Sequence, residues 1–199
     1  MMERMSAILP RLLLVALAGT AVASAQDTVL QIDASQTKVE FTLGDVLHTV
    51  HGSFALKRGD LRFDNSGRAS GELVVDAASG QSGSAARDRR MHANVLESAR
   101  YPEIVLRPSR VEGRVAAQGP SQVILHGMFE IHGQSHEVAL PLEIEANGGQ
   151  YTATGSFPVP YVKWGMKNPS TLFLRVNETV MITIHTVAHP VTATADRSR

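Results

Sequence analysis

The sequence contains no cysteine. Disulfides, thiolate zinc sites, iron–sulfur clusters and cysteine nucleophiles are excluded together. A charge surplus is lacking too, since 19 Lys and Arg balance 19 Asp and Glu. That balance argues against nucleic acid as the main partner, because affinity for phosphate backbones rests on a basic excess. It argues equally against an acidic disordered tail. Aromatic residues are scarce at 5%, with a single tryptophan. No internal repeat or linker interrupts the chain. What is present is 199 residues, 43% of them apolar. This suits one globular domain, or two small ones, stabilised by a buried core.

The one long apolar run lies at the start. Arg4 and Arg11 precede Leu12-Leu13-Leu14-Val15-Ala16-Leu17-Ala18, and the segment ends in Ala23-Ser24-Ala25. Small residues of this type are accepted by a signal peptidase. The competing reading is a transmembrane anchor. The run falls short of the roughly 20 residues a span needs, and Gly19 and Thr20 interrupt it. Residues 1–25 are therefore expected to be a cleaved secretory signal, with no stable membrane span and a periplasmic or secreted product. No cysteine follows the cut to carry a lipid, and no twin arginine stands before it. Cleavage removes Glu3, Arg4 and Arg11 from the nineteen of each sign, leaving 17 basic and 18 acidic residues.

Beyond the cut the dominant period is two. Val123, Leu125, Phe129 and Ile131 share a face with Gly127, opposite Gln122, His126 and Glu130. Val138, Leu140, Leu142 and Ile144 alternate with Glu137, Glu143 and Glu145, and Val180, Ile182 and Ile184 with Thr179, Thr183 and His185. One dry and one wet face is the pattern of a half-buried strand. Further strands are expected at 29–33, 38–43, 46–56, 60–63, 69–76, 104–112 and 150–157. Turn signals separate them at Lys57-Arg58-Gly59-Asp60, Asp64-Asn65-Ser66-Gly67, His132-Gly133-Gln134-Ser135 and Asn147-Gly148-Gly149. Short connections join antiparallel neighbours, so the expectation is an all-β sandwich or barrel. No helix long enough to cover a sheet is visible, which favours closure of the sheet on itself. The domain is expected over residues 26–189, with a frayed tail at 190–199.

Two stretches break this rhythm. Ser79–Ser84 reads as a glycine-rich loop, and Ala85–Ser98 as one short helix with Met91 and Val95 at i,i+4, ending before Tyr101-Pro102. Pro158–Ser170 is irregular and carries Tyr161 and Trp164.

Catalytic signals are weak. His48 and His51 point to opposite faces of a strand, and His132 and His136 flank a turn but lack a third ligand. No H-E-x-x-H motif accompanies them. Gly80-Gln81-Ser82-Gly83-Ser84 lacks the final glycine of a nucleophile elbow. No phosphate-cradling loop or dinucleotide fingerprint occurs, and no cofactor is expected. Asp88 and His92 stand at i,i+4 beside Arg87, Arg89 and Arg90. They read either as a polar gate meeting a ligand head group or as a solvated helix face pinned by ion pairs. Trp164 lines a cavity mouth or plugs one end of the core.

The order of motifs resembles the YceI-like family of secreted bacterial lipid-binding domains. The carriers are Gln31-Ile32-Asp33-Ala34-Ser35-Gln36-Thr37-Lys38-Val39-Glu40-Phe41, His51-Gly52-Ser53-Phe54 and Gly59-Asp60-Leu61-Arg62-Phe63-Asp64. The most specific is Arg87-Asp88-Arg89-Arg90-Met91-His92, leading through Leu96-Glu97 to Tyr101-Pro102-Glu103-Ile104. The resemblance spans Val29 to Val187. It implies an extended, eight-stranded antiparallel lipocalin-like barrel with one short helix in a long connecting loop, and a tunnel for a polyisoprenoid or related amphiphile. Two aromatics common after the helix are replaced here by Val95-Leu96.

Magnitudes narrow such a guest. Lost freedom costs roughly 4–15 kcal/mol, and micromolar affinity asks for about 8 more. At about 0.8 kcal/mol per buried CH₂ this needs on the order of 15 to 29 carbons, or three to six isoprene units. The expected function is a non-catalytic carrier for an isoprenoid lipid or a quinone. By alternation its tail would meet Phe41, Leu73, Val75, Leu125, Phe129, Leu140, Leu142, Phe157 and Ile182. Its head group would meet Arg87, Asp88, His92 and Trp164. The alternatives are a solid barrel that binds a partner, or a second copy in a homodimer, through its outer surface, and a metal enzyme using the histidines.

Overall fold

The computed structural model describes residues 27–44, 48–170 and 175–191. The expected signal segment lies outside these, as do residues 192–199 of the expected tail. Ten strands make one antiparallel sheet: β1 (Thr28–Ile32), β2 (Lys38–Gly44), β3 (Thr49–Phe54), β4 (Leu56–Phe63), β5 (Ala69–Asp76), β6 (Glu103–Gly113), β7 (Gly119–Ile131), β8 (Gln134–Asn147), β9 (Gln150–Val159) and β10 (Val180–Pro190). Their order is β1-β4-β5-β6-β7-β8-β9-β10-β2-β3, and β1 also pairs with β10.

Ten strands make eight staves because two staves are broken. One side of β10 pairs first with β2 (Ile182↔Phe41) and then with β1 (Ala188↔Ile32). β3 pairs with β2, and β4 with β1, so β3 and β4 form the next stave, joined at Ala55. Closure through β1 and β10 removes the sheet edges an open form would expose. The result is the all-β, eight-stranded closed barrel that the family resemblance implies, and the closed alternative of the sandwich or barrel that alternation and short turns suggest.

The breaks have local causes. Between β1 and β2 the Asp33 carboxylate accepts from the Ser35 and Gln36 amides and both their side chains. These bonds hold its pKa down at about 2 and stabilise a turn that interrupts the stave. Asp64 closes the β4–β5 turn in the same way, through the Ser66 amide and hydroxyl and Arg68. Two hairpins use two-residue turns with both central φ positive: His132 and Gly133 (53° and 72°), and Gly148 and Gly149 (58° and 82°). That backbone matches the twist of the flanking strands.

Three expectations change. Lys57-Arg58-Gly59-Asp60 is no turn but lies inside β4, with a bulge between Leu56 and Arg58. Its glycine is there for space, since a Cβ on Gly59 would stand 3.0 Å from Ile32. The helix α1 covers only Ala85–Arg90 and continues as a wide π turn, Met91–Val95. The last strand runs to Pro190, which pairs with Leu30.

The barrel interior is packed over most of its length. Leu125 and Leu140 face each other on β7 and β8, 4% and 2% exposed. Phe129 and Phe157 meet edge-on at 5.4 Å. Gly155 leaves room for Leu140 and Leu142, whose methyls would lie 3.0 and 2.6 Å from a Cβ there. Gly59→Ala is expected to lower the unfolding free energy by about 1–3 kcal/mol, the cost of overpacking, in denaturant titrations. A wild-type midpoint would show that the Ile32 side chain yields to the added methyl and that the glycine is not needed for space.

Candidate functional site

Among the described residues, one end of the barrel is crowned by residues 77–102 between β5 and β6, residues 160–170 and 175–179 between β9 and β10, and the β7–β8 turn. At this end β3 reaches beyond β5. Its outer edge meets only a bridge from Ser53 to Gln81, with the amide and carbonyl of each residue paired. The connection between β5 and β6, and not another strand, therefore flanks the upper part of β3, with the loop residue Gln81 at its edge.

The space between them is a chamber of about 440 Å³, within the roughly 300–1,000 Å³ of small-molecule sites. Leu43, Val50 and Val180 line it from the strands, Met91, Val95 and Leu96 from the helical side, and Tyr161 and Met166 from the crown. Apart from Tyr161, whose hydroxyl is engaged by the Asn177 carbonyl, its polar lining is Ser82, Ser84, Arg87 and Arg90. The π turn matters here. The Leu96 amide reaches back five residues to the Met91 carbonyl, and this wider turn brings Val95 and Leu96 side by side onto the chamber wall.

Several bonds brace this wall. Asp88 Oδ1 accepts from the Ser82 amide at 2.9 Å and from its hydroxyl at 2.5 Å. Arg87 donates to the Ser82 hydroxyl and carbonyl at 2.7 and 2.9 Å. His92 Nε2 lies 2.8 Å from the Gly80 carbonyl, so this nitrogen carries the proton and donates. Its Nδ1 then accepts from the Ser98 hydroxyl at 3.1 Å. Tyr161, 4% exposed, donates to the Asn177 carbonyl at 2.8 Å. Burial first, and the charge of Glu178 second, push its pKa up to about 12.

Deeper in the barrel there is a second void of about 40 Å³, lined by Leu73, Val75, Phe129, Phe157 and Ile184 among others. Phe54 and Ile182 touch both spaces. The sequence-derived residues thus separate into groups. Phe41 and Ile182 line the chamber. Leu73, Val75, Phe129 and Phe157 stand at the lower void. Leu125, Leu140 and Leu142 line neither and belong to the packed interior or its margin. Of the residues expected at the mouth, Arg87 lines the chamber, while Asp88 and His92 brace the loop beside it. Trp164 stands one layer back, stacked on His136 at 4.0 Å and tilted against Phe129 at 6.0 Å. His132 packs on the Tyr101 ring instead of approaching His136 as a ligand pair. No cluster of three metal-ligating side chains occurs among the described residues.

Sequence reasoning missed Leu43, Val50, Phe54 and the crown residues Tyr161 and Met166. The Met91–Val95 spacing was the legible trace of the helical wall. Val50 and Phe54 were visible only as alternate positions on β3.

A closed barrel with an apolar chamber under a helical crown is lipocalin-like in architecture. Within that class, the chain belongs to the YceI-like domain family, whose profile matches residues 30–188. Similar solved structures have the same fold. BcnA of Burkholderia cenocepacia is 18% identical, with a TM-score of 0.65 over 78% of this chain and 98% of that one. A polyisoprenoid binding domain from Saccharophagus degradans, implicated in plant cell wall breakdown, is 13% identical, with a TM-score of 0.66 over 81% and 98%. The YCEI protein of Campylobacter jejuni is 13% identical, with a TM-score of 0.51 over 71% and 81%. Among curated proteins no significant match is found.

The Tyr161 contact has a pH signature. Folding favours the protonated phenol, so its contribution is complete below the ordinary value of 10.0 and is lost as pH rises through about 12. Ultraviolet titration is expected to show a tyrosine ionising near 12, and Tyr161→Phe to abolish that step. The variant also orphans the Asn177 carbonyl, at a cost of about 1–3 kcal/mol. A titration unchanged by the substitution would contradict the burial seen here.

Proposed function

We propose that this protein is a non-catalytic lipid-binding protein that holds the tail of a polyisoprenoid or isoprenoid quinone in the chamber under its crown. The observation that carries this reading is the chamber itself: about 440 Å³, walled by aliphatic and aromatic side chains, with its polar groups restricted to one side. Family membership and a structural neighbour described as a polyisoprenoid binding domain support it. Arg87 and Arg90 line the chamber from α1, where an emerging head group would pass them. The Ser82 hydroxyl is engaged by Asp88 and Arg87 in the loop brace. That role is structural and favours holding a ligand over transforming it. The amino-terminal segment supports export to the periplasm or beyond. Among the described residues no helix is long and apolar enough to cross a membrane.

The outer surface gives less support to a docking role. The large exposed apolar residues described are Met128, Met181 and Val191. Met128 and Met181 stand on β7 and β10, with two strands between them.

Organic extraction of the purified protein followed by mass spectrometry is expected to recover a prenyl lipid. Val50→Trp, which fills the chamber from β3, is expected to weaken prenyl-alcohol binding at least tenfold in dye-displacement titrations while leaving the barrel folded. A protein that extracts clean and displaces no apolar dye would overturn the assignment.

A further inference from the structure

We infer that Phe54, backed by Phe41 and Ile182, forms a fixed floor that limits the bound tail to about three isoprene units. The inference rests on the lipid-binding reading above and adds to it a length selectivity set by this chain's own residues.

Register orders the side chains by depth. On facing strands Leu43 pairs with Val50, Phe41 with Gly52, and Val39 with Phe54. Ile182 pairs with Phe41, and Ile184 with Val39. The first layer touches only the chamber, and Val39 and Ile184 touch only the lower void. Phe54 and Ile182 touch both, so these two side chains lie at the boundary.

The boundary is built. Phe41 and Phe54 pack against each other with ring centroids 5.4 Å apart. Each ring occupies a space that a glycine leaves open. A Cβ on Gly52 would collide with the edge of Phe41, and one on Gly80 with the edge of Phe54. The Met91 methyl closes in beside Phe54, 2.8 Å from the same Gly80 position. Both rings are thus held in place, Phe54 at the boundary between the two spaces and Phe41 just above it.

Volume then sets length. Water takes roughly 30 Å³ in the liquid, and a methylene is of similar size. The chamber of about 440 Å³ accordingly admits about 15 carbons, the bottom of the range that micromolar binding requires. The void of about 40 Å³ below it adds only one or so. A fourth isoprene unit would remain outside the chamber.

The test is a ladder of all-trans prenyl alcohols with two, three, four and six isoprene units, titrated against delipidated protein by dye displacement. At about 0.8 kcal/mol per buried CH₂, affinity rises about fourfold for each carbon that enters. Wild type is expected to climb steeply up to three units and then change by less than tenfold. Phe54→Ala joins the two spaces and is expected to favour four units over three by on the order of a hundredfold, by the same increment over several carbons. Phe54→Leu gives an intermediate gain and decides the matter if the alanine variant does not fold, as judged by thermal unfolding. Wild-type affinity that keeps rising through six units would remove the floor but leave the lipid-binding function standing. A plateau unmoved in both folded variants would remove Phe54 from the role. Failure to bind any member of the ladder would instead overturn the functional reading itself.

Discussion

An eight-stranded barrel encloses barely enough space for its own side chains, and the rest of this structure follows from that constraint. Where every stave has two neighbours, inward residues such as Leu125, Leu140 and Phe157 fill the interior. The larger hollow lies where the regular wall is interrupted. The upper part of β3 lacks β5 as a neighbour, and its outer edge is met by the loop residue Gln81, ahead of α1. The chamber lies between the upper ends of β2 and β3 and the helical segment that follows this loop.

A wall made of loop and helix would be loose without cross-links. The bonds that join Ser82, Arg87 and Asp88, and those that join Gly80, His92 and Ser98, tie the loop to both ends of the helical segment. They explain why a run of charged residues sits beside an apolar chamber. Arg87 is shared between the two tasks, since it braces Ser82 and also lines the chamber. The crown adds Tyr161 and Met166 on the chamber side, with Trp164 turned away onto His136. One tight turn thus supplies both a chamber wall and a plug for the neighbouring part of the barrel.

Much of this is legible in the amino-acid sequence. Strand positions, the closed sheet, the short helix and the family followed from alternation, turn chemistry and motif order, because each depends on neighbours in sequence. Leu73, Val75, Phe129 and Phe157 were placed inward correctly for the same reason: a period of two decides the face. Gly59 was misread because a glycine beside charged residues looks like a turn. Its true role, leaving space for Ile32, depends on a strand some thirty residues away. Asp88 and His92 were placed on the right helix, but their partners Ser82, Gly80 and Ser98 were not visible in a spacing of four.

The amino-acid order by itself determined which residues point into the barrel, since facing is a local property of an extended chain. Only the tertiary structure decided which of those inward residues border empty space and which are packed against one another. Depth along the barrel is set by register between strands distant in sequence, such as Phe41 opposite both Gly52 and Ile182. The same alternating pattern is compatible with a filled interior or a hollow one. The difference lies in the loop and helical segment between β5 and β6, which stand beside the upper part of β3 and bring Met91, Val95 and Leu96 to the chamber.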